Sequence, residues 1–132
     1  MVLLKKASVL RPLALTLFLL ATPARAAEPS VINLSCDGDL ITGEDQKEPV
    51  KKVGLIVDLT QHTVAGFPVI GRIDNVSDAM VEFIGSKTDA VGTSSIMGTI
   101  DLVTGAAQAW TLVSAKDGNV IQSNSWDLVC VK

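Results

Sequence analysis

Tyrosine is absent from this chain, histidine occurs once, and aromatic residues make up only 4% of its 132 residues. Each shortage excludes something. A catalytic triad or a zinc centre needs an imidazole held by partner side chains. The single histidine, His62, follows Thr60-Gln61 at what reads as a hairpin tip, with no nucleophile at a familiar spacing. It is expected to be a solvated turn residue. One His and two Cys leave a transition-metal site short of ligands, so neither metal nor cofactor is expected. Ser94 and Ser95 lie in "GTSSIMG", which lacks the Gly-x-Ser-x-Gly spacing of a nucleophile elbow. These absences point away from an enzyme.

Positive charge is also scarce once the first residues are set aside. Lys5, Lys6 and Arg11 precede an almost wholly apolar run from Leu13 to Ala21, and Ala24-Arg25-Ala26 has the small-x-small form of a signal-peptidase site. The run is short of the ~20 apolar residues a transmembrane helix needs. Residues 1–26 are therefore expected to be an export signal, leaving 27–132 as a single domain, periplasmic in the first place and secreted as the alternative. The leader holds Lys5, Lys6, Arg11 and Arg25 and no acid, so the totals of 11 Lys+Arg and 14 Asp+Glu become 7 against 14, a net charge of −7. Nucleic-acid and anionic-membrane binders cluster Lys and Arg. Here Lys51-Lys52 is the one adjacent pair left, and neither partner is expected.

What the chain does have is alternation. Val53, Leu55, Val57 and Leu59 alternate with Lys52, Gly54, Ile56 and Asp58, and Ile96, Gly98, Ile100 and Leu102 alternate with Met97, Thr99 and Asp101. This is the period of half-buried strands. Turn signals at Thr60-Gln61, Phe67-Pro68, Asp74-Asn75, Thr104-Gly105 and Asp117-Gly118-Asn119 separate the runs. The pattern predicts about eight strands, near 31–36, 51–59, 62–66, 69–73, 79–84, 95–103, 106–114 and 121–131, in an all-β antiparallel barrel or sandwich.

The two cysteines end matching stretches, "INLSC" and "WDLVC". Cys36 shares a strand face with Ile32 and Leu34, and Cys130 with Trp126 and Leu128. If the first and last strands are neighbours, both sulfurs meet in the core, and an exported chain reaches a compartment where a Cys36–Cys130 disulfide persists.

Two further stretches need a reading. In "CDGDLITGEDQKEP", Asp37, Asp39, Glu44, Asp45 and Glu48 could offer oxygens to Ca²⁺, but Ile41 falls where the fifth-position ligand of an EF-hand should be. It is expected to be a solvated loop. In "AAQAWTLVS", Gln108, Trp110 and Leu112 share one face and Ala107, Ala109 and Thr111 the other. Either parity could face the core. If Ile100 packs inward on the neighbouring strand, Trp110 is partly exposed and marks a contact surface, which is the expectation; with the opposite parity it is a core residue with its Ala neighbours outward. Trp126, beside the cysteine clasp, is expected to be buried.

The order "NLSC", "LIVDLTQHTV", "VEFIG", "GTIDLVTG", "WDLVC" resembles a group of small exported bacterial β-proteins of unknown function. Gly98, Ile100, Asp101, Thr104 and Gly105 carry the hairpin of that pattern, although Leu102 stands where a basic residue is commonest. The resemblance implies export and an all-β fold, and no activity. The function expected is that of a non-catalytic protein-binding or inhibitor-like module whose partner lies in the cell envelope. The alternative is a carrier of a small apolar ligand.

Overall fold

The structure is a computed structural model that describes residues 30–44 and 46–132. The expected leader, residues 1–26, lies outside the described residues. Eight strands run in chain order: β1 (Val31–Thr42), β2 (Gln46–Asp58), β3 (Thr63–Ala65), β4 (Gly71–Ser77), β5 (Met80–Thr88), β6 (Gly92–Asp101), β7 (Ala106–Ala115) and β8 (Val120–Val131). Every strand pairs antiparallel with its chain neighbours, and β8 pairs with β1 to close a barrel. The all-β expectation is met, and barrel replaces sandwich.

The inner face is apolar. Leu34, Leu55, Val57, Val64, Val81, Ile96, Ile100 and Leu128 are buried, and the residues between them along each strand point outward. The outer face mixes Lys, Asp, Ser and Thr with exposed apolar residues, Ile56, Ile84, Met97, Trp110, Leu112 and Val129 among them. Without tyrosine, the core is packed from branched aliphatics, with one aromatic cluster. Phe67 stacks on Phe83 with centroids 5.8 Å apart, and the Trp126 ring meets Phe67 edge-on at 5.6 Å.

The disulfide forms where the alternation placed it. Cys36 and Cys130 are direct cross-strand partners, 4.0 Å apart at Cα and joined through their sulfurs. The Cys130 amide donates to the Gly105 carbonyl on the β7 side, so towards β1 this is a non-hydrogen-bonded pair. Such pairs have the closer Cα spacing of an antiparallel ladder, which is why the separation is below the usual disulfide range.

Two expectations fail here. The acidic stretch is not a loop: Asp37 to Thr42 continue β1 and Gln46 to Val50 begin β2, leaving a short turn at Gly43-Glu44. A bulge makes this work, with Lys51 and Lys52 together facing Asp37; Lys52 takes φ +55°, and its amide donates to the Asp37 carboxylate at 2.7 Å. The extra residue resets the parity so that Val50 and Val53 both pack against the core. Asp74-Asn75 is likewise no turn but an irregularity inside β4; the reversal falls at Asp78-Ala79, both with positive φ.

Closure between β2 and β4 is narrow. β3 pairs only Thr63–Ala65 with β2 and only Thr63 and Val64 with β4. Beyond it the chain from Gly66 to Ile70 plugs the wall, with Phe67 and Val69 buried. Among the described residues, Gln46 to Val53 of β2 therefore have β1 on one side and no strand on the other.

Candidate functional site

The alternation of β6 and β7 decides which way Trp110 points. Ile100 and Ile96 face inward, as do Ala107, Ala109 and Thr111, so Met97 and Trp110 face out. Trp110 is 48% exposed. Of the aromatics that the structure describes, Phe67, Phe83 and Trp126 form the internal cluster, and Trp110 alone is turned to the surface. Trp126 faces inward as expected but is only partly buried, packed against the core.

Trp110 belongs to a row. Arg72 pairs with Ile84, Ile84 with Met97, and Met97 with Trp110, so these four side chains cross β4 to β7 at one level of the outer face. Ile84, Met97 and Trp110 are 43%, 53% and 48% exposed. One level along the strands lies a second row, Ser86, Ser95, Leu112 and Ser123. Between the rows, and walled by Ile70 at the β4 side, lies an open groove of about 740 Å³. On the other flank of the apolar ridge a smaller groove of about 260 Å³ carries Asp74 and Glu82. Large apolar side chains that a fold leaves in contact with water and in contact with one another are the usual material of a recognition surface.

The other residues weighed from sequence lie elsewhere. His62 sits on an exposed turn with φ +60°, its carbonyl accepting from Ile73 N at 2.8 Å. Asp39 is ion-paired to Lys47 at 3.5 Å and Asp37 is occupied by the bulge, so these two acids brace the β1–β2 hairpin. Asp45 lies outside the described residues. Among the described residues no group of three or more His, Cys, Asp or Glu side chains is placed to hold a metal ion. Ser94 and Ser95 are strand residues of β6 pointing to opposite faces.

Sequence reasoning missed two features. The companions of Trp110, Ile84 and Arg72, come from strands whose register could not be read before the barrel closed. Inside the barrel, Trp126 Nε1 and Asn124 Oδ1 are buried with no hydrogen-bond partner among the described residues, a donor and an acceptor on the same strand face. The two turn aspartates Asp89 and Asp101 are held below the ordinary value of 3.8. The cause at Asp89 is donation by the amides of Val91 and Gly92, and at Asp101 by those of Thr104 and Val103. These carboxylates tie loops and line neither of the two grooves.

No protein-family model, no curated protein and no solved structure matches this chain.

Proposed function

We propose that this chain is an exported, non-catalytic protein-binding module, inhibitor-like in design, that meets its partner through the outer face of β5, β6 and β7. The carrying observation is the cross-strand row Ile84, Met97, Trp110, half-exposed in a chain that spends its other described aromatics on the core. Trp is among the residues that most often dominate interface energetics, and an aromatic beside a groove offers a partner both an anchor and a pocket. Export fits the disulfide, since an oxidising compartment preserves such a bond. The periplasm is our choice of compartment over release from the cell. The test is affinity capture from cell-envelope extract with wild-type chain and with Trp110→Ser. A discrete protein retained by the wild type and lost with the variant supports the reading. Capture that ignores the substitution contradicts it.

A second reading, a carrier of a small ligand, draws on the unpartnered Trp126 Nε1 and Asn124 Oδ1. A small molecule with an apolar body and one hydroxyl would satisfy both atoms. Native mass spectrometry of protein purified from its own cells separates the two readings. A co-purifying molecule that is lost with Trp126→Phe favours the carrier.

A further inference from the structure

The groove between the two rows runs against the chemistry of the chain that bears it. The sequence carries 14 Asp+Glu against 11 Lys+Arg, yet no carboxylate lines this groove and its one charged lining residue is Arg72. Arg72 is also the only arginine among the described residues. Among the described residues no carboxylate is within ion-pair distance of it. The ion pair among the described residues is Lys47 with Asp39, and nearby Glu82 accepts instead from Asn75 Nδ2 at 3.3 Å. A guanidinium offers a planar fork of donors that matches a carboxylate in two-point contact.

The rest of the groove says what the carboxylate is attached to. The Arg72 row continues through Ile84, Met97 and Trp110, and the parallel row, ~6.8 Å along the strands, places the hydroxyls of Ser86, Ser95 and Ser123 around Leu112. A hydrocarbon chain would use the apolar row and leave the hydroxyls unmatched. An extended polypeptide uses both, its amides against the hydroxyl row and its side chains against the apolar row.

From this charge and row complementarity, we infer that the Arg72–Trp110 groove takes a protein segment in which an Asp or Glu is flanked by large apolar side chains. The inference rests on the protein-binding reading and names the chemistry of its partner.

Selection from a random-peptide phage library on the immobilised chain tests it. The expected result is enrichment of sequences with an acidic residue among Leu, Ile, Phe or Trp. A synthetic copy of the best one should bind roughly ten- to a hundredfold more weakly to Arg72→Ala, the worth of a charge-assisted hydrogen bond. Arg72→Lys should recover part of the loss, because the charge returns without the fork. Selection on Arg72→Glu should enrich Lys or Arg in place of Asp or Glu. Arg72 is exposed, so these variants keep the fold, and unchanged circular dichroism is the check on that.

Peptides that need Trp110 but contain no acid and ignore Arg72→Ala would overturn the inference and leave the protein-binding reading standing. Two other results give the groove a different occupant and also overturn it. One is a wild-type chain that sediments as a Trp110-dependent dimer, which makes the occupant a second copy. The other is displacement of Trp110-dependent signals by laurate alone, which makes it a lipid-like anion. Absence of any Trp110-dependent peptide, together with Trp110-independent capture from envelope extract, would remove both readings.

Discussion

Phe83 and Gly98 face each other across the β5–β6 ladder, and the Phe83 ring fills the space that a side chain at position 98 would need. A Cβ placed there would come within 2.5 Å of both Phe83 Cζ and the Gln108 carbonyl oxygen. The same ring covers Gly71 on β4 and stacks on Phe67, the residue that plugs the barrel wall where β3 stops. Gly98→Val is therefore an overpacking substitution, expected to cost about 1–3 kcal/mol. Chemical denaturation checks it, and an unchanged midpoint would show that the Phe67–Phe83 packing is looser than described.

The Cys36–Cys130 bridge closes a loop with a sequence separation of 94, for which chain entropy gives ~4–5 kcal/mol of stabilisation. Purified protein should show no reactive thiol when unfolded without reductant. The double variant Cys36→Ser, Cys130→Ser should lose most of that stability, since the core is otherwise small, built mainly of branched aliphatics with three aromatics. Two titratable thiols per chain would contradict the bridge.

Acid should weaken the β6–β7 turn through Asp101. Its carboxylate accepts from the amides of Val103 at 2.8 Å and Thr104 at 3.1 Å, and donation by the Thr104 and Val103 amides holds it below the ordinary 3.8. A carboxyl depressed on folding adds stability above its unfolded value and loses it as pH falls through the lower folded value. Wild-type stability should thus fall below pH 3.8 more steeply than that of Asp101→Asn, which keeps an acceptor but does not titrate. Parallel pH profiles from thermal melts would refute the assignment.

Along Gln46 to Val53 of β2, one backbone edge has no strand beside it among the described residues. Pro49, Lys47, Lys51 and the positive-φ Lys52 sit on that edge, the devices by which open edges are kept from pairing with other chains. Replacing Lys47 and Lys51 with Thr and Pro49 with Val should produce concentration-dependent association seen by light scattering. A monodisperse variant would show that the plug from Gly66 to Ile70 protects the edge by itself.

How far the sequence could be read depended on what each signal rests on. Where alternation comes from inner packing, as in Leu55-Val57 or Ile96-Gly98-Ile100, strand and face were both legible. The cysteine pairing was legible for the same reason, because Cys36 and Cys130 continue the inward parity of Leu34 and Leu128. The acidic arms of β1 and β2 were not, since Asp37-Gly38-Asp39 and the Lys-rich entry to β2 carry no apolar period. They are strands because β8 pairs with Asp37 to Thr42 as the barrel closes, and a bulge at Lys51-Lys52 absorbs the break in parity. The Trp110 surface was only partly legible. Alternation put Gln108, Trp110 and Leu112 on one face of β7 without saying which face was outer, the inward packing of Ile100 next to it decided that, and Ile84 and Arg72 join it only through the register of β4, β5 and β6.

The protein-binding face is tested most directly by site-specific photocrosslinking in living cells. A benzoylphenylalanine at position 110 replaces one large aromatic by another, and the same probe at Val129, exposed on β8 outside the groove, serves as the control. A discrete crosslinked partner is expected from position 110 and none from position 129. No adduct from position 110, or the same adducts from both positions, would contradict it.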